Sequence, residues 1–177
     1  SGCPACSPPV PPDLTALTAQ QQSGLGTFQA KARCVECHSG PEFTDASVSD
    51  NLLGMLERMT MGDNLTAVYD NGFYNIGVRP TNDDLGVGGK DPFPVPVIAP
   101  TGKPLSNSRL AQVGMFAPVF GPALDPTITS TERVAVDGAF KALSLRNVEL
   151  TGPYFHNGGK ATLAQIVQFY NAGGDFA

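Results

Sequence analysis

Apolar residues recur along this chain mostly at helical spacing, in a few short blocks separated by long irregular stretches. Thr18-Ala-Gln-Gln21 has the form of a capping box, and Leu25, Phe28 and Ala32 follow it three and four residues apart, which predicts a first helix. Gly24 and Gly26 weaken that helix. Leu52, Met55, Leu56 and Met59 repeat at three and four residues and predict a second helix, with the methionines read as packing groups. Phe73-Tyr-Asn-Ile-Gly-Val78 predicts a short strand that opens a stretch through Pro126 with little periodicity. Thr162-Leu-Ala-Gln165 is again a capping box; Leu163, Ile166, Val167 and Tyr170 then share one face until Gly173-Gly174 ends the helix.

Composition agrees with few helices and long connections. The 177 residues include 20 glycines and 16 prolines but only 15% charged residues, while an apolar share of 41% is that of a globular chain. Ser1 to Pro12 contains Pro8-Pro9 and Pro11-Pro12 and reads as a stiff leader or linker. The expected division is therefore a proline-rich leader over 1–17 and one domain over 18–177. A formal charge of −5 argues against nucleic acid or an anionic membrane as partner, since both require a basic face. No apolar run reaches membrane-spanning length, and no secretion signal stands at Ser1, as in a chain whose leader has been cleaved.

The chemistry is concentrated in Cys34-Val35-Glu36-Cys37-His38. Two thiols three positions apart followed at once by an imidazole form the attachment signature of c-type haem. Each part contributes separately, because the sulfurs can form thioethers to one porphyrin edge while His38 is placed to donate a ring nitrogen to iron. A structural disulfide or half a zinc site could use the same thiol spacing, although zinc needs a second ligand pair and a redox dithiol does not need the histidine. Cys3-Pro4-Ala5-Cys6 is followed by Ser7, not histidine, so it reads as a short-range disulfide or a remnant of a longer chain. Covalent haem attachment takes place outside the bacterial inner membrane, which makes a periplasmic or otherwise extracytoplasmic location the expectation. Tyr170 has two readings: a tyrosine packed in the core with its hydroxyl at the rim, or a phenolate ligand to iron.

Five blocks in order carry a resemblance: Cys34-Val-Glu-Cys-His-Ser-Gly-Pro-Glu-Phe-Thr44, Phe73-Tyr-Asn-Ile-Gly-Val78, Phe140-Lys-Ala-Leu-Ser-Leu-Arg-Asn-Val148, Leu150-Thr-Gly-Pro-Tyr-Phe-His-Asn-Gly158 and Ala161-Thr-Leu with Phe169-Tyr-Asn171. Together they resemble the C-terminal haem domain of the bacterial dihaem cytochrome c peroxidase/MauG family. The resemblance implies a mainly α c-type cytochrome fold with few helices, long glycine- and proline-rich loops and little β structure. It implies one covalent haem, with Cys34 and Cys37 as anchors and His38 as proximal ligand. For the distal ligand it implies Tyr170, which stands where one branch of the family has methionine and MauG has tyrosine, with Met115 the runner-up. His156 is a weaker candidate ligand, in a glycine-flanked turn where the family's histidine does not bind its own haem iron. Thr151 and Pro153 match positions whose backbone carbonyls help to hold a calcium ion between two haem domains. Arg79 and Arg146 are candidates to pair with haem propionates, because a guanidinium suits a carboxylate.

The departures from that family matter as much. No second Cys-x-x-Cys-His lies upstream, Trp is 0, and the chain stops at Ala177 where relatives continue into a closing helix. The expectation is a segment of a longer protein or one partner of a split one, acting with a second haem domain or redox protein, and not a peroxidase by itself. Two further readings are a self-contained monohaem electron carrier and a haem-stabilised interaction domain.

Overall fold

Among residues 14–52, 54–93, 102–116 and 127–176, which the computed structural model describes, 28% are helical and 15% are strand. This overturns the expectation of a mainly α fold with little β: four α-helices stand beside two small sheets, and the fold is mixed. The chain divides into two compact units, Ser1–Glu36 and Cys37–Ala177.

In the first unit, helix α1 (Ala19–Gln29) begins where the capping box predicts. The Thr18 hydroxyl accepts from Gln21 N and the Gln21 side chain accepts from Thr18 N. Leu14–Ala16 is a short 3-10 turn tied to α1 by Gln22, whose side-chain nitrogen donates to the carbonyls of Leu14 and Leu17. The helix stops at Gln29, before the first cysteine. Arg33 then takes a left-handed φ of 54°, and Cys34–Glu36 is a single 3-10 turn.

The second unit is organised by β2 (Thr66–Asp70), in which Ala67 and Val68 are fully buried. β1 (Leu56–Thr60) pairs with it antiparallel, Leu56 opposite Asp70 and Thr60 opposite Thr66. β4 (Arg133–Val134) pairs with its other edge in parallel. The helix predicted on Leu52, Met55, Leu56 and Met59 is thereby corrected. α2 (Val48–Asn51) is one turn capped by Ser47, and Leu56 and Met59 lie in β1. Gly62-Asp63-Asn64 outweighs the helical spacing, because it folds the chain back. Asn64 adopts φ 62°, a conformation that asparagine tolerates, and Met61 N donates to Leu65 O at 2.9 Å.

β3 (Phe73–Tyr74) falls where a strand is predicted and pairs antiparallel with β5 (Phe140–Lys141). Inside the stretch read as irregular lies α3 (Asn107–Gln112), with Ser108 and Leu110 buried. Its start is held by Asp70 at the end of β2. Asp70 is 3% exposed and accepts from Asn107 N at 2.7 Å, Ser108 N at 2.8 Å and the Ser106 hydroxyl at 2.9 Å. A buried carboxylate needs that many donors to offset its lost hydration. α4 (Leu163–Ala172) has both predicted ends, a Thr162–Gln165 capping box and Gly173 at φ 86°. Beyond it the chain returns to β3's end, where Asp175 N and Phe176 N both donate to Gly77 O. Only glycine fits at 77, since a Cβ there would lie 2.2 Å from Phe176 O.

Candidate functional site

Cys37 and His38 open the second unit, and the residues after them form a tight loop. Asp45 N donates to Cys37 O, Thr44 N to Ser39 O and Phe43 N to Gly40 O. The Asp45 carboxylate accepts from both the amide and the hydroxyl of Ser39. The loop brings the Phe43 carbonyl to 3.1 Å from His38 Nδ1. A carbonyl can only accept, so Nδ1 carries the ring proton and Nε2 keeps the lone pair with which an imidazole binds a metal. Cys37 and, in the first unit, Cys34 are partly buried thiols. Cys34 Sγ donates weakly to Ala32 O at 3.7 Å.

A second layer of the chain lies along this loop. The Thr44 hydroxyl donates to Ala142 O, the Ser144 hydroxyl to Glu42 O at 2.6 Å, and the Arg146 guanidinium to Pro41 O through both Nε and Nη2. From there the chain runs through the 3-10 turn Val148–Leu150, whose first carbonyl accepts from the Tyr154 hydroxyl at 2.9 Å. Phe155 next packs its ring against Phe169 and Tyr170 of α4. The side chains on this path are apolar yet open to solvent: Leu143 is 66% exposed, Leu150 78% and Val167 69%. Of the α4 residues only Phe169 is buried, and Tyr170 is 49% exposed.

Other predicted residues are engaged elsewhere. His156 stacks on Phe140 with ring centroids 3.5 Å apart, and its Nε2 lies 3.0 Å from Asp84 Oδ2. Arg79 approaches the same carboxylate at 3.7 Å and lines an open cleft with Asn75, Ile76, Gly77, Thr81, Gly173 and Phe176. Met115 follows α3, its amide donating to Leu110 O at 2.8 Å. The Thr151 hydroxyl donates to Val148 O, and Pro153 follows a cis peptide bond. Among the described residues no three His, Cys, Asp or Glu side chains cluster as a metal site. Cys3 and Cys6 lie outside the described residues.

One pair has no counterpart among the sequence expectations. Tyr74, 8% exposed, donates its hydroxyl to Glu57 Oε2 at 2.6 Å. Burial pushes the Glu57 carboxyl above its usual range, the Tyr74 hydrogen bond pulls it partly back, and Asp45 adds to the rise. Burial, with Glu57, Cys37 and Asp45 nearby, likewise pushes the Tyr74 phenol upward. The folded state thus holds the Glu57 proton to higher pH than the unfolded chain does, so stability falls as pH rises through the window just above the ordinary glutamate range. Glu57→Gln is expected to flatten that slope, as read from urea midpoints between about pH 5 and about pH 7. A pair between separate strands such as this carries no motif: Glu57 lies in β1 opposite Tyr69, and Tyr74 lies in β3.

A thiol pair followed at once by an imidazole is the signature of a c-type haem protein. Comparison with curated proteins agrees. The chain is 30% identical over 162 residues to a cytochrome-c peroxidase, IdrP2, of Pseudomonas sp. (strain SCT), covering 92% of this chain and 34% of that protein. It is 29% identical over 172 residues to cytochrome-c peroxidase IdrP1 of Denitromonas iodatirespirans, covering 93% and 35% respectively. Over 40 residues it is 52% identical to methylamine utilization protein MauG of Paracoccus denitrificans, covering 23% of this chain and 10% of that protein. These relatives are cytochrome-c peroxidases and a MauG protein, matching the dihaem cytochrome c peroxidase/MauG family, and the chain spans about a third of the length of the first two. No family model matches it, and no solved structure does.

Proposed function

We propose that the chain is the C-terminal, electron-transfer haem domain of a dihaem cytochrome c peroxidase- or MauG-like oxidoreductase, holding or relaying electrons for a second, peroxide-handling haem. The observation that carries this reading is the Cys34-Val-Glu-Cys37-His38 stretch, with His38 Nδ1 bound to the Phe43 carbonyl so that Nε2 is left for iron. The residues present fit the group. Two thiols three positions apart with an imidazole directly after them are the donor set of covalent haem, and within the second unit Leu143, Leu150 and Val167 are exposed apolar side chains that a porphyrin could cover. When bound, the iron porphyrin supplies a site that takes and gives one electron.

The chain's residues set how that site behaves. Cys34 and Cys37 would hold the group through thioethers, and His38 would supply a ring nitrogen to its iron. Tyr170 is the proposed distal ligand, set on α4 with its ring edge-on to Phe155 and Phe169. An anionic oxygen donor favours ferric iron, so the site holds a low potential and suits storage of an oxidising equivalent. Arg79 is proposed to meet a propionate from the rim of its cleft. The backbone carbonyls of Thr151 and Pro153 are proposed to contribute to a calcium site completed by oxygen donors from a partner domain. The location proposed is extracytoplasmic, where the thioethers form, and among the described residues no helix is long and apolar enough to cross a membrane.

Mass spectrometry and the ferric optical spectrum test the reading. One covalent haem and a low potential are expected; a colourless protein with the mass of the bare polypeptide refutes it. A methionine-to-iron charge-transfer band would transfer the distal position from Tyr170 to Met115.

A further inference from the structure

We infer that Arg146 and Ser144 are positioning residues for His38, acting through the backbone of residues 41–43, and that they thereby lower the reduction potential of the iron His38 holds; the inference rests on the haem reading above. The contact to be held is the bond from His38 Nδ1–H to the Phe43 carbonyl, 3.1 Å long. Such a bond gives the imidazole anionic character and strengthens it as a donor, which favours ferric iron. Its acceptor sits in a costly conformation: Phe43 has a left-handed φ of 51°, which a residue with a side chain adopts only when its surroundings enforce it. Phe43 is itself 41% exposed, so its side chain is not enclosed on every side.

The enforcement comes from the neighbouring chain. The two carbonyls before Phe43 are both captured: Pro41 O by Nε and Nη2 of Arg146, the Nε contact at 2.9 Å, and Glu42 O by the Ser144 hydroxyl at 2.6 Å. The residue after it is captured as well, the Thr44 hydroxyl donating to Ala142 O. Arg146 N donates to Ser144 Oγ at 3.2 Å, which joins the two clamps into one unit. With the peptide fixed on either side, the Phe43 carbonyl has one direction in which to point. A forked guanidinium on one carbonyl oxygen is a geometric device, and it gives Arg146 a role distinct from meeting a propionate.

The two roles for Arg146 predict different outcomes. A cation acting by charge alone disfavours ferric iron, so a change that keeps the charge leaves the potential where it was. Loss of a clamp weakens the His38 bond and raises the potential even when no charge changes. In the haem-loaded protein, Ser144→Ala is expected to shift the ferric-to-ferrous equilibrium about threefold toward ferrous. Arg146→Lys, which keeps the charge and loses the fork, is expected to shift it about tenfold, or ~59 mV for one electron. Both are expected to change the anisotropy of the ferric paramagnetic resonance spectrum, and Ser144→Thr, which keeps the hydroxyl, to restore the wild-type values. Ser144 is exposed, so its alanine variant is expected to fold even if an Arg146 variant does not. Red variants with unchanged potential and spectrum, or with potentials that fall, overturn the inference while leaving the haem reading intact. A colourless wild-type protein is the separate outcome that removes the haem reading itself.

Discussion

Asp70→Ala is expected to lower the unfolding free energy by about 4 kcal/mol, the largest stability loss of any single change proposed for this fold. The carboxylate caps the start of α3 from the end of β2. Removing it strands the amides of Asn107 and Ser108 in the interior, at ~1–3 kcal/mol for each unsatisfied donor, and leaves the Ser106 and Ser108 hydroxyls to find new partners. Asp70→Asn keeps the shape but turns an amide nitrogen toward one of the two backbone donors, so about half the loss is expected. Urea denaturation measures both. A melting temperature lowered by roughly 10 °C for the alanine variant is the thermal counterpart. Losses under ~1 kcal/mol would mean that β2 and α3 hold together without this junction.

Tyr170→Phe is the change with the largest expected effect on the proposed redox site. Deleting the hydroxyl removes the anionic oxygen and opens one coordination position, so the ferric spectrum is expected to become high-spin. The potential is expected to rise by ~120 mV, which lowers the ferric-to-ferrous ratio roughly a hundredfold at a fixed solution potential. Phe keeps the edge-on ring contacts to Phe155 and Phe169. Met115→Leu serves as the counter-experiment and is expected to leave the spectrum unaltered. The reverse pattern, silent at Tyr170 and large at Met115, would reassign the distal ligand.

Local signals are legible where a few neighbouring residues carry the whole instruction. Both capping boxes act within four residues, and α1 and α4 begin where Thr18 and Thr162 place them. The turn at Gly62-Asp63-Asn64 is equally local, but the apolar spacing of Leu52 to Met59 competes with it and points to a helix where the chain forms a strand. α3 leaves little trace in the sequence because its apolar stripe is short and its cap depends on Asp70, 36 residues upstream of Ser106. The one-face spacing of Leu163, Ile166, Val167 and Tyr170 does not tell which α4 side chain is enclosed. Phe169 is the α4 side chain that enters the core, and Val167 and Tyr170 stay exposed.

The chemistry is legible in chain order: Cys34, Cys37 and His38 lie within five residues, so their thiols and imidazole can meet one group whatever the rest of the fold does, and five ordered blocks point to the family. How that chemistry is held emerges only in three dimensions. The tautomer of His38 depends on the Phe43 carbonyl, and that carbonyl depends on Ser144 and Arg146, about a hundred residues downstream. The mixed fold class arises in the same way, from pairings such as Glu57 with Tyr69 and Tyr74 with Phe140. Covalent neighbours are written in order along the chain, whereas a hydrogen bond between distant segments forms only after strand register and loop closure have brought its two ends together.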